Sequence, residues 1–502
     1  MAECASIIGI TNNPSKYDPY ISRSNNKERQ ELILREMYEQ GYINYDEYTA
    51  AVAEDIFSKL KSGENEEYKM EINSWYADTV YQDVLHDLMD EKGIDEKTAT
   101  YLLNNGGYQI YSCLDMKIQN IVDSIYEDPS QFPQTKSKLG ESMQSACVLM
   151  DPYTGEIKAL SGGVGEKTIN FGWNRATDAK RPPGSSIKPI ATYGPAIDQG
   201  LISPSTLVDD SKDIELRGTW WYPNNASGGY QGIVTILEAL RSSINTVSAQ
   251  ILDKLTPAVS YKYLTERLGM ELIPADADYA PLSLGQLTNG CSVREMAQAY
   301  GAFVNDGIFT YARTYTHVTD SDGKTILDNS PETIVAFKAN TAWTMDYMLN
   351  YAATYGTGAE SNIGNMPHAG KTGSSSNWQD RWFVGFTPYY VCAVWTGYDT
   401  PAYLSVYGNP SAQTWKKIMQ PVHDGLEYKT FKTPTLYGPT NIFGDLEPTP
   451  SPSVDPSPSE EVTEAPSSGT DIPSPTPTAP TPSNPVSPSP EQTPPATVTP
   501  AA

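Results

Sequence analysis

A serine and a lysine three positions apart, Ser185 and Lys188, stand in the stretch RPPGSSIKPIATYGPAI, where a Pro-Gly loop becomes an apolar-periodic segment. On a helix, positions i and i+3 lie on one face about 5–6 Å apart, so the amine can reach the hydroxyl. A lysine among apolar neighbours such as Ile187 and Ile190 loses hydration, which favours its neutral form. The pair therefore has the chemistry of a serine nucleophile activated by a lysine base. Taken alone, the spacing is more typical of a helix-capping serine followed by a surface lysine.

A second candidate pair, Ser243 and Asn245, lies further along the helical segment that the Thr235 and Glu238 capping box begins. In a continuous helix these two side chains would point to different sides, whereas a loop at this point would let both face one cleft. There the hydroxyl could relay a proton and the amide could bind a substrate. By itself the triplet is more typical of polar surface residues at a helix bend.

The third candidate group is the stretch HAGKTGSSSNWQDRWFVGF, which begins a strand-like segment. A phosphate-binding loop is excluded, because it needs four residues between its first glycine and the Gly-Lys pair and a helix after the lysine. We expect a strand edge instead, in which Lys371 supplies positive charge. Thr372 and Ser374 would supply hydroxyls for a carboxylate, and Gly373 would let a substrate backbone approach closely.

Helices and strands alternate around these motifs. A Pro-Tyr-Thr-Gly turn predicts a hairpin of strands at 145–150 and 156–161. Apolar periodicity predicts helices near 186–199, 236–256, 258–268, 292–306 and 339–355, followed by the strands RWFVGF and YYVCAVWTGY. This order predicts one sheet with helices packed on it, in an α/β or α+β arrangement.

The three motifs follow one another with separations of 58 and 128 positions, in the order shared by penicillin-binding proteins and serine β-lactamases. Residues 60 to 435 resemble the transpeptidase half of class A, bifunctional penicillin-binding proteins. The resemblance extends to SACVLMDPYTGEIKALSGG, GGYQGIVTILEALRSSINT and LSLGQLTNGCSVREMAQAYGAFVNDG. It implies a transpeptidase domain over 141–435, with an antiparallel sheet and helices packed on it, and a linker or pedestal subdomain over 57–140.

The two ends of the chain differ from this central part. Residues 1–56 resemble the last helices of the glycosyltransferase half, through AECASIIGITNNPSKYDPY and ERQELILREMYEQGYI. In this family the catalytic glutamates and the membrane anchor lie upstream of such helices, so we expect a C-terminal remnant without glycan polymerisation. No secretory signal pattern is present, and attachment to a membrane would require an upstream anchor. The Pro/Ser/Thr-rich residues 436–502 are expected to be a disordered tail.

The resemblance implies acyl transfer on peptidoglycan stem peptides that end in D-Ala-D-Ala, in the extracytoplasmic cell envelope. Ser185 would be the nucleophile, Lys188 its base and Ser243 the proton relay. Asn245 would hold the substrate amide, and Lys371, Thr372 and Ser374 its carboxylate, beside Gly373. β-Lactams would acylate the same serine. The alternatives are a D,D-carboxypeptidase, which uses water as acceptor, and a non-catalytic penicillin-sensing or wall-binding domain.

Composition narrows the partners further. The net charge of −26 opposes binding to nucleic acid. The five cysteines and four histidines do not cluster, so we expect neither a metal site nor a cofactor. Besides stem peptides and β-lactams, proteins of the cell wall, division or elongation machinery are the partners that the resemblance implies.

Overall fold

The chain folds into alternating helices and strands, and the computed structural model describes residues 1–20, 22–60, 72–212, 214–217, 219 and 221–447. The helices are α1 (Ala2–Ile10), α2 (Pro14–Tyr17), α3 (Arg23–Glu39), α4 (Tyr45–Ala53), α5 (Trp75–Lys92), α6 (Glu96–Asn105), α7 (Met116–Tyr126), α8 (Gly194–Asp198), α9 (Ile236–Arg241), α10 (Asn245–Leu255), α11 (Pro257–Lys262), α12 (Tyr279–Leu284), α13 (Val293–Val304), α14 (Ala339–Tyr355) and α15 (Pro410–Val422). The strands are β1 (Gln109–Ser112), β2 (Gln144–Met150), β3 (Ile157–Ser161), β4 (Leu207–Asp210), β5 (Gly232–Thr235), β6 (Ile308–Thr310), β7 (Tyr315–Thr319), β8 (Thr325–Asp328), β9 (Thr333–Val335), β10 (Ala369–Ser374), β11 (Asp380–Phe386) and β12 (Val391–Gly397).

A five-stranded antiparallel sheet in the order β10-β11-β12-β2-β3 forms the centre of the fold. Strands β11 and β12 are buried along their whole length, because helices cover both faces of the sheet. Their sequences are accordingly almost continuous apolar runs, as is typical of strands covered on both sides. The predicted antiparallel sheet with helices packed on it is confirmed, and so is the β2–β3 hairpin. Strand β10 is the outer strand on one side.

Two hydrophobic cores lie on the two faces of this sheet. One contains buried side chains of α5, α9, α10 and α13, and the other contains side chains of α7 and α15. Tyr76 of α5 lies in the first core and donates its hydroxyl to the carbonyl oxygen of Ile157 at 2.6 Å. The predicted boundary between 140 and 141 therefore does not separate two cores, because α5 and α7 pack on the sheet itself.

Helices α1, α3 and α4 share a smaller apolar cluster of their own. Leu34 of α3 is fully buried there with Ala2 and Ala5 of α1. Gln30 donates from its Nε2 atom to the carbonyl oxygen of Ala2 at 2.9 Å, and Asn44 begins α4 with a capping box. The helical prediction for this segment is confirmed. Among the described residues, no helix is both long enough and apolar enough to cross a bilayer.

The segment after α15 runs over the domain without regular secondary structure. Phe431 packs edge-on against Phe386 at the end of β11. Further along, Thr440 donates its hydroxyl to the carbonyl oxygen of Leu201 at 2.7 Å. The predicted start of the tail at residue 436 is therefore too early, because this part of the segment already packs on the domain. Residues 448–502 lie outside the described residues.

Candidate active site

Ser185 lies on a tight 3-10 turn, Gly184–Ile187, which begins the helical run that ends with α8. Trp382 of β11 holds this turn to the sheet, since its Nε1 atom donates to the carbonyl oxygen of Pro182 at 2.9 Å. Lys188 follows one turn after Ser185. Its side chain is completely buried, as are those of its chain neighbours Ile187 and Ile190. The fold thus shields the lysine from bulk water.

Lys188 reaches the turn that carries the second motif. Its Nζ atom donates to the carbonyl oxygen of Ser243 at 2.8 Å and to Oδ1 of Asn245 at 2.7 Å. The carbonyl oxygen of Ile244 and Oγ of Ser243 lie at 3.3 Å and 3.5 Å. The first and second motifs therefore meet around one buried amine.

The chain breaks its helical path between α9 and α10 to make this contact possible. Ser243 has a φ of +57°, in the left-handed region that serine rarely adopts. Such a conformation costs about 1–3 kcal/mol and persists only where the surroundings hold it. The continuous helix predicted over 236–256 is thus interrupted, and the side chains of Ser243 and Asn245 face the same cleft.

The third motif approaches Ser243 from the opposite side. Lys371 of β10 is almost completely buried, and its Nζ atom donates to Oγ of Ser243 at 2.9 Å. The carbonyl oxygen of Thr372 lies at 3.2 Å from the same atom. Ser243 is therefore shared by the two lysines, one from the helical run and one from the outer strand.

Gly373 has a different physical role from the one its position in the strand suggests. A Cβ atom there would lie 2.2 Å from the carbonyl oxygen of Pro183 and 2.8 Å from Oγ of Ser186. The position that a side chain would take at Gly373 is therefore filled by the turn that carries Ser185. Glycine is required at this point because β10 packs directly against that turn.

Burial lowers the basicity of both lysines. The pKa of Lys188 is held well below its usual value, first by burial and then by the nearby charge of Lys371. Burial lowers the pKa of Lys371 to about 7. A lowered pKa favours the neutral amine, which can accept a proton, so this environment suits Lys188 to act as a general base.

A cavity of about 830 Å³ opens over these groups. Ser185, Ser243, Asn245, Thr372 and Ser374 all line it, together with the loop that contains Asn225, Ser227 and Gln231. Ser185 and Ser243 thus reach one solvent-connected space, whereas neither Lys188 nor Lys371 is among the residues that line it. Thr372 is oriented there by a 2.8 Å contact with the hydroxyl of Thr357.

Arg381 lines the same cavity and was not anticipated from the sequence. It lies opposite Ser374 in the β10–β11 pair and donates from Nη1 to Oγ of Ser374 at 3.1 Å. Its guanidinium stacks 4.1 Å from the ring centroid of Trp378. Its Nε atom is buried without a hydrogen-bond partner among the described residues. In the sequence, the only indication of this role was an arginine near the start of a largely apolar strand. The pairing of Arg381 with Ser374 was needed to show that it faces the cavity.

The sequence of the chain is similar to those of known penicillin-binding proteins. The family model for the penicillin binding protein transpeptidase domain matches residues 145–420. The chain is 34% identical over 459 residues to a Penicillin-binding protein 1A of Clostridium botulinum, covering 88% of this chain and 55% of that protein. It is 32% identical to Penicillin-binding protein 4 of Bacillus subtilis, covering 84% and 67% of the two chains. The chain thus spans little more than half the length of the clostridial relative.

Solved structures resemble the fold as well. The penicillin-binding protein PonA1 from Mycobacterium tuberculosis matches with a TM-score of 0.59 at 25% identity, over 76% of this chain and 99% of that chain. Penicillin-Binding Protein 1A from Haemophilus influenzae matches with a TM-score of 0.61 at 19% identity, over 86% and 81% of the two chains. At that identity the second match supports the fold alone.

Proposed function

Because the chain belongs to the penicillin-binding protein transpeptidase family, we propose that it cross-links peptidoglycan through a serine acyl-enzyme. Ser185 is the nucleophile, Lys188 its base and Ser243 the proton relay. The donor is a stem peptide that ends in D-Ala-D-Ala, and the acceptor is an amine of a neighbouring stem. The observation that supports this proposal most directly is the chain of contacts from Lys188 through Ser243 to Lys371.

The first half of the reaction breaks one peptide bond and forms one ester. Oγ of Ser185 attacks the carbonyl carbon of the penultimate D-alanine while neutral Lys188 takes the hydroxyl proton. The C–N bond then breaks, and Ser243 passes a proton to the departing amine of the terminal D-alanine. Backbone N–H groups of Ser185 and Ser374 stabilise the oxyanion, a donor of this kind contributing about 3 kcal/mol.

The second half returns the serine to its free form. An acceptor amine attacks the ester carbonyl, gives up a proton to the lysine and serine network, and forms the new peptide bond as Ser185 leaves. The uncovered edge of β10 suits a donor peptide that adds to the sheet as an antiparallel strand. Asn245 contributes its amide to that peptide, and Thr372 and Ser374 bind its terminal carboxylate.

The net charge of −26 repels the donor's terminal carboxylate, so binding needs a positive charge close to that group. The Nζ atom of Lys371 faces Ser243, whereas Arg381 lines the cavity next to Ser374. Charged hydrogen bonds of the guanidinium to a carboxylate are among the stronger polar contacts in proteins. We therefore include Arg381 with Lys371, Thr372 and Ser374 in the carboxylate subsite.

A D,D-carboxypeptidase would use the same residues with water in place of the amine, and a penicillin-sensing or wall-binding domain would lack turnover. The lowered pKa of Lys188 favours a catalytic role over simple binding. For the remaining parts of the chain, we propose that 1–56 is a glycosyltransferase-related segment and that 57–140 supports the transpeptidase domain. We propose that the chain acts in the extracytoplasmic cell envelope, at the plasma membrane and facing the cell wall.

A fluorescent penicillin tests the acyl-enzyme directly. We expect covalent labelling of the purified protein, seen after denaturing electrophoresis, and loss of the label in the Ser185→Ala variant. The neighbouring Ser186→Ala is a poor control because that hydroxyl bonds to Pro183. The exposed Ser321, which does not line the cavity, is replaced by Ala instead. Labelling that persists in Ser185→Ala would remove Ser185 from the mechanism. Supplying a stem-peptide thioester with and without a D-amino acid then separates transfer to amines from hydrolysis.

A further inference from the structure

Asn225 connects a buried carboxylate to the beginning of α10. Asp210 at the end of β4 is completely buried. Its Oδ1 atom accepts from Nδ2 of Asn225 at 2.7 Å and from the hydroxyl of Thr246, and its Oδ2 atom accepts from the backbone N–H of Gln231 at 2.8 Å. A carboxylate with three donors is a strong anchor, because charged hydrogen bonds are stronger than neutral ones. Asp210 therefore fixes the orientation of the Asn225 amide.

The other end of that amide caps the helix. Oδ1 of Asn225 accepts from the backbone N–H of Asn245 at 2.9 Å and from that of Thr246 at 3.3 Å. These are the first N–H groups of α10, and the preceding residue, Ile244, provides no side-chain cap. Unpaired N–H groups at a helix start need such a partner. Asn225 thus supplies from a distant loop the cap that the local sequence lacks.

This cap holds the residues that face Lys188. Asn245 offers Oδ1 to Nζ of Lys188 and donates from Nδ2 to the carbonyl oxygen of Asn224 at 2.8 Å. Ser243, two positions earlier, keeps its left-handed backbone conformation in the same turn. Both residues would shift if the first turn of α10 moved.

We propose that Asn225, held by Asp210, is a positioning residue that sets the turn from Ser243 to Asn245 against Lys188 for acylation of Ser185. This inference rests on the proposed acyl-transfer function. A neutral lysine has two hydrogens, and its nearest acceptors are the carbonyl oxygen of Ser243 and Oδ1 of Asn245. With both hydrogens engaged there, the lone pair of Lys188 remains for the proton of Ser185.

Removing the cap should alter both the rate and the pH dependence of acylation. The charged group that faces Lys188 is Lys371 of β10. A hydrogen bond from Nζ to Asn245 favours the cationic lysine, so its loss destabilises the cation and makes the amine titrate at lower pH. The acid limb of the acylation profile, where Lys188 loses its proton, therefore moves to lower pH, while the plateau falls because the base is poorly oriented.

The experiment measures the second-order rate constant for labelling by a fluorescent penicillin between pH 5 and pH 9, a range of about two units on either side of neutrality. For Asn225→Ala we expect a plateau about tenfold lower, as is typical for loss of a hydrogen bond at a charged group, and an acid limb at lower pH. Thr246→Val is the matched control, since it removes one donor to Asp210 and leaves Asn225 in place. We expect its plateau within about twofold of wild type and an unmoved acid limb.

Asp210→Asn provides a second variant should Asn225→Ala fold poorly. The side-chain NH2 group of the new asparagine must then face another donor, either the backbone N–H of Gln231 or Nδ2 of Asn225. We therefore expect a lower plateau and an acid limb at lower pH, as for Asn225→Ala. An acid limb that stays at the wild-type position in both variants overturns the proposal, even with a lower plateau, because a loss of structure alone would lower the plateau. Absence of labelling in the wild-type protein would instead reject the proposed function itself.

Discussion

At the scale of single residues, Lys371 and Arg381 are both basic but have different surroundings. Lys371 is buried against Ser243, and its pKa is lowered to about 7, so part of the population is neutral at physiological pH. Arg381 remains charged at any physiological pH and lines the cavity beside Ser374. Arg381 is thus better suited to attracting an anion, and Lys371 to moving a proton through Ser243.

Replacing Arg381 by Gln should weaken binding of the donor carboxylate. We expect the second-order rate constant for acylation by a thioester donor with a free terminal carboxylate to fall about tenfold, the usual effect of losing a charged hydrogen bond. A matched donor with that carboxylate amidated should be affected about twofold or less, since it carries no charge for the guanidinium. Equal losses with both donors would show that Arg381 acts on the structure of β10 alone.

At the scale of elements, the site depends on how closely β10 packs against the turn of Ser185. Gly373 faces Pro183 and Ser186, and on the other side of this contact a Cβ atom at Gly184, whose φ is +56°, would lie 2.2 Å from the carbonyl oxygen of Ser374. Two glycines therefore allow a strand and a helical turn to touch through their backbones. This contact places Ser185 on the cavity that Thr372 and Ser374 of β10 also line.

The Gly373→Ala variant should separate the two elements. The added methyl would sit 2.2 Å from a carbonyl oxygen, so the strand must shift, and a displacement near 1 Å can cost about a hundredfold in rate. We expect a loss of about that size in the penicillin acylation rate. Gly438→Ala is the control, because a Cβ atom there meets no neighbour within 4 Å. Wild-type acylation in Gly373→Ala would contradict the packing argument.

At the scale of the whole molecule, the segment that follows α15 ties distant parts of the domain together. Lys432 forms an ion pair with Asp306 at 2.5 Å, and Thr435 donates its backbone N–H to Oδ1 of Asn340 at 2.7 Å. Phe431 contacts Phe386 at the end of β11. None of the described residues of this segment lines the active-site cavity, so we expect the segment to influence stability more than catalysis.

Truncating Phe431 to Ala should lower stability without changing acylation. Removing a fully buried phenylalanine side chain costs about 3–5 kcal/mol, and this ring is half-buried, so we expect a loss of about 2 kcal/mol in the free energy of unfolding. Denaturant melting would measure it. Tyr428→Ala, with its side chain 60% exposed, should change stability by about 0.5 kcal/mol or less. If Phe431→Ala is fully folded but is acylated more slowly than the wild-type protein, the segment does influence the active site, which would contradict this prediction.

The sequence by itself determined the features that depend on neighbours close in the chain. These are the hairpin of β2 and β3, the apolar strands β11 and β12, the start of α9 at its N-cap residue Thr235, and the order of the three motifs. Local periodicity and turn chemistry specify such features because the interacting groups lie within a few positions of one another.

Only the tertiary structure decided how these parts meet. Ser243 adopts its left-handed turn at the point where both Lys188 and Lys371 contact it. Gly373 faces a turn some 190 positions earlier in the chain, Arg381 faces the cavity through its pairing with Ser374, and the segment around Thr440 packs on Leu201. Each depends on contacts between residues far apart in sequence, whose geometry is settled by packing of the whole domain and leaves no local pattern in the chain.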